Sequence, residues 1–141
     1  DPPTDDEAAA IDTEMRALLQ SLPRRAPGDE RYQLIGTAGT VTTLAAMALG
    51  LKTYDPNRVH GHQLDRTALT RQMVRLQTAS QAERERFDGL DPRRADVIFA
   101  GARILNAFVE HLEADHVVVN DRGIRWGLLY ETLAAGTGAA S

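Results

Sequence analysis

Cysteine is absent from the 141 residues of the chain, which excludes disulfide frameworks, thiolate metal sites and cysteine nucleophiles together. Lysine is almost absent: Lys52 stands alone and every other basic residue is an arginine, a bias that genome base composition explains as well as function does. There is no excess of positive charge, because 16 basic residues face 20 acidic ones for a net charge of -4. A mildly acidic chain lacks the footprint of a dedicated nucleic-acid binder. No apolar run approaches the ~20 residues that span a bilayer. The stretch Asp1-Pro2-Pro3-Thr4-Asp5-Asp6-Glu7 is acidic and polar, the opposite of a secretory signal. The expectation is a soluble cytoplasmic domain that meets neither nucleic acid nor membrane. What is present is ordinary globular composition, 43% hydrophobic and 26% charged. A chain of this length buries roughly 68–70% of its unfolded surface in one core, so it needs no staple.

Local signals divide the chain clearly. Thr4 and Glu7 form a capping-box pattern ahead of a helix from about Asp5 to Leu22, with Ile11, Met15, Leu18, Leu19 and Leu22 as its apolar stripe. Pro23 stops it, and Arg24 to Glu30 reads as a polar turn. Tyr32 to Ile35 is a short strand that runs through Gly36-Thr37-Ala38-Gly39-Thr40 into a mostly buried helix, Val41 to Leu49, closed by Gly50. Lys52 to Arg58 is a loop, and Val59 to Leu64 a second, weaker strand. Asp65 caps a helix to about Thr78 with Leu69, Met73, Val74 and Leu76 inward, and Ser80 with Glu83 opens a short one ending near Gly89. Asp91-Pro92 starts a long helix, Arg93 to about Leu112, with Val97, Ile98, Ile104, Leu105, Phe108 and Leu112 inward. His116 to Asn120 is a β-branched buried strand, and a final helix runs from Ile124 to about Ala135. The pattern is α/β and helix-rich, with two firm strands that run parallel. Two parallel strands make a poor sheet, so the chain reads as part of a larger α/β domain.

Two segments carry chemistry. Gly36 to Thr40 joins a strand to a helix start, where free backbone N–H groups and the helix dipole favour an anion. The glycines allow close approach, and the Thr37 and Thr40 hydroxyls can donate to oxygens. It is neither a Walker A loop nor G-x-G-x-x-G, and a tight turn with threonine caps is the alternative reading. The second segment, Asp121-Arg122-Gly123-Ile124-Arg125-Trp126-Gly127, also leaves a strand end. Parallel neighbours would open both loops on one edge, where Arg125 can offer its planar fork to a phosphate; a tolerated surface arginine is the other reading. His60-Gly61-His62 has the spacing of two zinc ligands on one strand face, but nothing fixes His111, His116 or a carboxylate as a third, and a polar strand competes. Arg93-Arg94 reads as a solvated first turn, with a substrate contact from Arg94 secondary. Trp126 reads as a packing residue. Gly101 inside a strong helix costs about 1 kcal/mol and implies close approach of a neighbouring element or a ligand.

Five ordered blocks resemble the exopolyphosphatase/guanosine pentaphosphate phosphohydrolase family: Ile35 to Ala45, Val59-His60-Gly61, Gly89 to Ile98, Gly101 to Leu105 and Arg122 to Glu131. The resemblance implies a ribonuclease H-like, actin-type fold with two lobes, of which residues 1–135 form the later part of the second and 136–141 a disordered tail. It implies hydrolysis of terminal phosphate from polyphosphate or guanosine pentaphosphate, with water activated by a glutamate and with Mg²⁺ as cofactor. The first lobe, that glutamate, the metal ligands and the Asp-x-Gly-Gly-Gly-Ser loop are not in this chain. What carries over is Gly36, Thr37, Ala38, Gly39, Thr40, Gly123 and Arg125, facing substrate phosphates. No catalytic residue carries over, so the chain alone is expected to be inactive. The strand before Gly36 would keep an open edge, met by the N-terminal part of its own polypeptide or by a second copy in a homo-dimer. A non-catalytic domain of the same fold that binds a guanosine polyphosphate or a protein partner is the rival reading.

Overall fold

The computed structural model describes residues 1–24 and 33–137. The residues of the expected polar turn after Arg24, and Tyr32 at the head of the first strand, lie outside that range, as does the tail from Gly138 onward.

A three-stranded sheet lies at the centre, in the order β1-β3-β2. β3 (His116–Asn120) is built from three consecutive valines flanked by polar residues, and its Val117 and Val119 are fully buried. Such a β-branched run suits a central strand. β1 (Ile35–Thr37) pairs parallel to it, with Ile35 opposite Val118 and Thr37 opposite Asn120. The parallel pair is as expected, but β2 (Gln63–Asp65) adds antiparallel on the other side, so the sheet is mixed.

The second strand therefore differs from its expected bounds of Val59 to Leu64. Asp55 caps a short helix, α3 (Pro56–Val59), with proline at its first position. The chain then turns through Gly61 at φ +80 before β2 begins. His60 and His62 fall in that turn, where the Gly61 N–H donates to the Val119 carbonyl at 2.8 Å, and they share no strand face. Among the described residues no group of three or more histidines and carboxylates converges to hold a metal.

Helices pack on the sheet and on one another. α2 (Gly39–Ala48) is buried from Val41 to Met47, Thr42 and Thr43 included, and touches all three strands. α4 (Arg66–Thr78), capped by Asp65, packs against α2 and α6. α1 (Asp5–Leu19) has the Thr4–Glu7 capping box and lies against α6. α5 (Gln81–Arg84) starts at the Ser80–Glu83 box.

The single long helix expected after Asp91 is two elements. Asp91 caps a 3-10 turn at Pro92–Arg94, and α6 spans Ile98–His111. Between them the amides of Ala95 and Val97 bond back three residues, to Pro92 and Arg94, rather than four. The tightened phase turns Val97 outward, leaving it 58% exposed where continuous helical phase would have buried it. Ile104, Leu18, Leu22 and Val74 are also exposed, and Gln72 takes the buried place expected for Val74.

α7 (Ile124–Thr137) extends two residues beyond the expected Ala135. Its Ile124, Leu128 and Leu133 face solvent. Trp126 is 45% exposed and not a core residue; its ring meets Tyr130 at 5.9 Å and the Arg122 guanidinium at 5.4 Å, all three on the same stretch of chain.

Candidate functional site

Because Thr37 is the parallel partner of Asn120, both chains leave the sheet on the same edge. This is where ligands of open α/β sheets bind.

The first loop is tightly fitted. A side chain at Gly36 would meet Val41 Cγ1 at 2.7 Å and Val117 Cγ1 at 2.9 Å. Ala38 sits at φ 72, ψ -177, a region nearly reserved for glycine and costing about 1–3 kcal/mol. The Ala38 carbonyl accepts from the Thr42 amide and hydroxyl, both at 3.2 Å. No side chain caps α2, so the first-turn amides present their partial positive charge outward. Thr40 packs on α6 instead: a Cβ at Gly101 would touch its Cγ2 and Oγ1 at 2.8 Å. The glycine inside the strong helix thus answers to a neighbouring element.

Arg94 completes the loop. Its guanidinium covers Gly39, where an added Cβ would lie 2.5 Å from Nη2 and closer still to Nη1 and Cζ. Among the described residues no hydrogen bond or ion pair takes up this guanidinium. Arg93 is the opposite case. The Asp91 carboxylate accepts from the Arg93 amide at 3.0 Å, Nε at 3.1 Å and Nη2 at 2.7 Å. These bonds pull the Asp91 carboxyl down to about 2. An acid lowered in this way stabilises the fold above its ordinary value of 3.8 and loses that contribution as pH falls toward about 2. A carbon-detected NMR titration of Asp91 should therefore show a midpoint near 2 that Arg93→Ala raises toward 3.8. A wild-type midpoint already at the ordinary value would contradict the pairing.

Gly89 sets this arm in place. It turns at φ +85, and a Cβ there would lie 2.6 Å from the Ala46 carbonyl oxygen and closer to Ala46 C and Met47 N. The turn thus rests on the backbone of α2, the helix whose start Arg94 covers.

The second loop is joined to the first through Tyr54. Its hydroxyl donates to Asp121 Oδ1 at 2.5 Å and also meets the Thr42 hydroxyl. Burial and the Asp121 bond push Tyr54 up to about 12, so it stays protonated. The Arg122 amide donates to Asn120 Oδ1 at 2.9 Å. Gly123 has open space on its Cβ side, and Arg125, exposed in the first turn of α7, makes no hydrogen bond or ion pair among the described residues. The structure thus brings Gly36 to Thr40 together with Arg94, Thr42, Tyr54 and Asp121. It gives Gly123 and Arg125 no bond to that loop. Tyr54 had no local signal to mark it, since its partner is 67 positions away.

Comparison with known proteins agrees with this fold. Exopolyphosphatase 2 of Mycobacterium tuberculosis is 29% identical over 132 residues, which cover 91% of this chain and 41% of that protein. The solved Ppx/GppA family member of Aquifex aeolicus superposes with a TM-score of 0.87 at 31% identity, covering 96% of this chain and 43% of that one. An exopolyphosphatase from Cytophaga hutchinsonii shares the fold at a TM-score of 0.73 and 20% identity, over 96% of this chain and 44% of that one. The chain therefore spans under half the length of each of these relatives, and its helix-rich α/β fold is that of their actin-like, ribonuclease H-like lobes. The model of the Ppx/GppA phosphatase family matches residues 1–135, nearly the whole chain, and it is to that family that the chain belongs.

Proposed function

We propose that the chain forms one side of the phosphate-binding cleft of a phosphoanhydride hydrolase that releases terminal phosphate from polyphosphate or guanosine pentaphosphate. The observation that carries this is the Arg94 guanidinium, unpaired among the described residues, lying over Gly39 at the uncapped start of α2. Amide dipoles and a planar guanidinium converge there, the arrangement that stabilises negative charge on a phosphoryl group in transfer. In the reaction a water oxygen forms a bond to the terminal phosphorus while the bridging P–O bond breaks, and the shortened chain leaves with the bridging oxygen. The loop amides, that of Thr40 among them, and Arg94 hold the non-bridging oxygens, and the Thr37 hydroxyl is a further donor. Gly123, in the loop beside it, and Arg125, in the first turn of α7, would reach the substrate from the end of the neighbouring strand.

The carboxylate that activates water lies outside this chain. Mg²⁺, which the family resemblance implies, would likewise take its protein ligands from outside this chain. The chain by itself binds but does not hydrolyse. β1 pairs on one side only among the described residues, and its free edge would take a strand from the rest of the polypeptide or from a second copy in a dimer.

Calorimetric titration of tripolyphosphate into the purified chain tests the reading. Binding is expected, without phosphate release, and Arg125→Ala should weaken it by about 1.5–3 kcal/mol, the size of a charged hydrogen bond. Equal affinities would remove Arg125 from the site, and phosphate released by this chain alone would overturn the division of labour.

A further inference from the structure

A hollow of about 370 Å³ adjoins the phosphate loop, and its walls include Thr42, Thr43, Lys52, Tyr54, Asp91 and Arg94. Two of these residues touch the loop as well. Arg94 covers Gly39, and the Thr42 hydroxyl donates to the Ala38 and Gly39 carbonyl oxygens at 3.2 and 3.3 Å. An anion seated on the loop amides would therefore continue directly into the hollow.

We infer that this hollow is a second anion subsite, which takes the next phosphate of a phosphoanhydride chain rather than a nucleobase, with Lys52 as its distinguishing residue. The inference rests on the loop binding the terminal phosphate, as proposed above.

Charge points to an anion. Lys52 and Arg94 line the hollow and neither is held in an ion pair among the described residues, whereas the one acidic wall, Asp91, is neutralised by Arg93. The hydrogen-bond inventory points away from a base. Guanine is read through N–H donors on its edge, which need a free carboxylate or carbonyl. Asp91, the carboxylate on these walls, already holds the Arg93 fork, and Asp121, which lies outside them, accepts from the Tyr54 hydroxyl through Oδ1. The Tyr54 proton is committed by the same bond. Among the described residues, the charged side chains left without an ion pair on the walls are Lys52 and Arg94, groups that only donate. A cavity of about 520 Å³ between α1, α4 and α6 adjoins no phosphate loop, and its walls mix Asp12 and Glu110 with Arg16, Arg24 and Arg103.

Titration of orthophosphate, tripolyphosphate and guanosine pentaphosphate against the wild-type chain and Lys52→Met tests the subsite. Orthophosphate fills the loop alone, so its affinity should not change in the variant, whereas tripolyphosphate should bind roughly tenfold more weakly, the loss expected for one charged contact. Lys52→Arg should retain most of the tripolyphosphate affinity. Because Lys52 is the sole lysine, its acylation can be followed directly, and tripolyphosphate should protect it where orthophosphate does not. Undiminished tripolyphosphate binding in Lys52→Met would overturn the subsite while leaving the loop intact. So would a guanosine contribution to affinity that Tyr54→Leu abolishes, since the hollow would then hold the base. Failure of the wild type to bind either inorganic anion would instead overturn the loop assignment, and the subsite with it.

Discussion

Gly89→Ala should cost the domain about 3–5 kcal/mol, read as a fall in the urea midpoint at unchanged slope. Two effects add. Gly89 sits at φ +85, where an L side chain costs roughly 1–2 kcal/mol. The new methyl would also press on the main chain of α2 at Ala46 and Met47, and main chain in mid-helix has no rotamer through which to yield. Against a typical stability of about 5–15 kcal/mol, that is a large share. The damage would also reach the site, because the Gly89 turn leads into the segment that carries Arg94. Gly61→Ala is the control: it has a similar φ, +80, but nothing within 4 Å of its Cβ, so it should show the conformational cost alone. Equal losses at the two glycines would mean that the contact with α2 is not what makes Gly89 necessary.

Arg94→Ala should weaken tripolyphosphate binding by about 1.5–3 kcal/mol, or roughly tenfold to over a hundredfold. The guanidinium is exposed and has no ion pair among the described residues, so its removal orphans no partner there and the fold should keep its stability. Arg94→Lys should recover only part of the affinity, because an ammonium is a point charge without the planar fork. The loss should shrink as salt is added, as it must for a partly exposed charge. Unaltered affinity in Arg94→Ala would show that the side chain merely shields Gly39.

The features legible from the sequence are those decided within a few residues. The Thr4–Glu7 and Ser80–Glu83 boxes and the Asp65 cap form because donor and acceptor are three positions apart. Val117-Val118-Val119 could hardly be anything but a buried strand, and the Gly36 to Thr40 turn announces itself by its small residues. Less legible were features in which distant parts compete. Asp91-Pro92 is a sound helix start, yet the turn it opens is 3-10 and ends before α6, a phase change with no local marker. Val59 alternates with its neighbours well enough to read as strand, but Asp55 and Pro56 claim it for α3. Arg94 outranks Arg93 only because Asp91 sequesters the latter, and Tyr54 matters only because the fold brings it to Asp121. The exposed apolar residues of α7, Trp126 among them, follow helical spacing with no core behind them, so periodicity alone misassigns them.

The most direct test of the shared edge is an amide NMR map of the ¹⁵N-labelled chain titrated with orthophosphate. The largest shifts should fall on Gly39, Thr40 and Val41, with smaller ones on Asp121 to Gly123, the loop beside them on the neighbouring strand. Shifts confined to other basic surfaces, such as those around Arg16 and Arg103, with the first turn of α2 silent, would contradict the account.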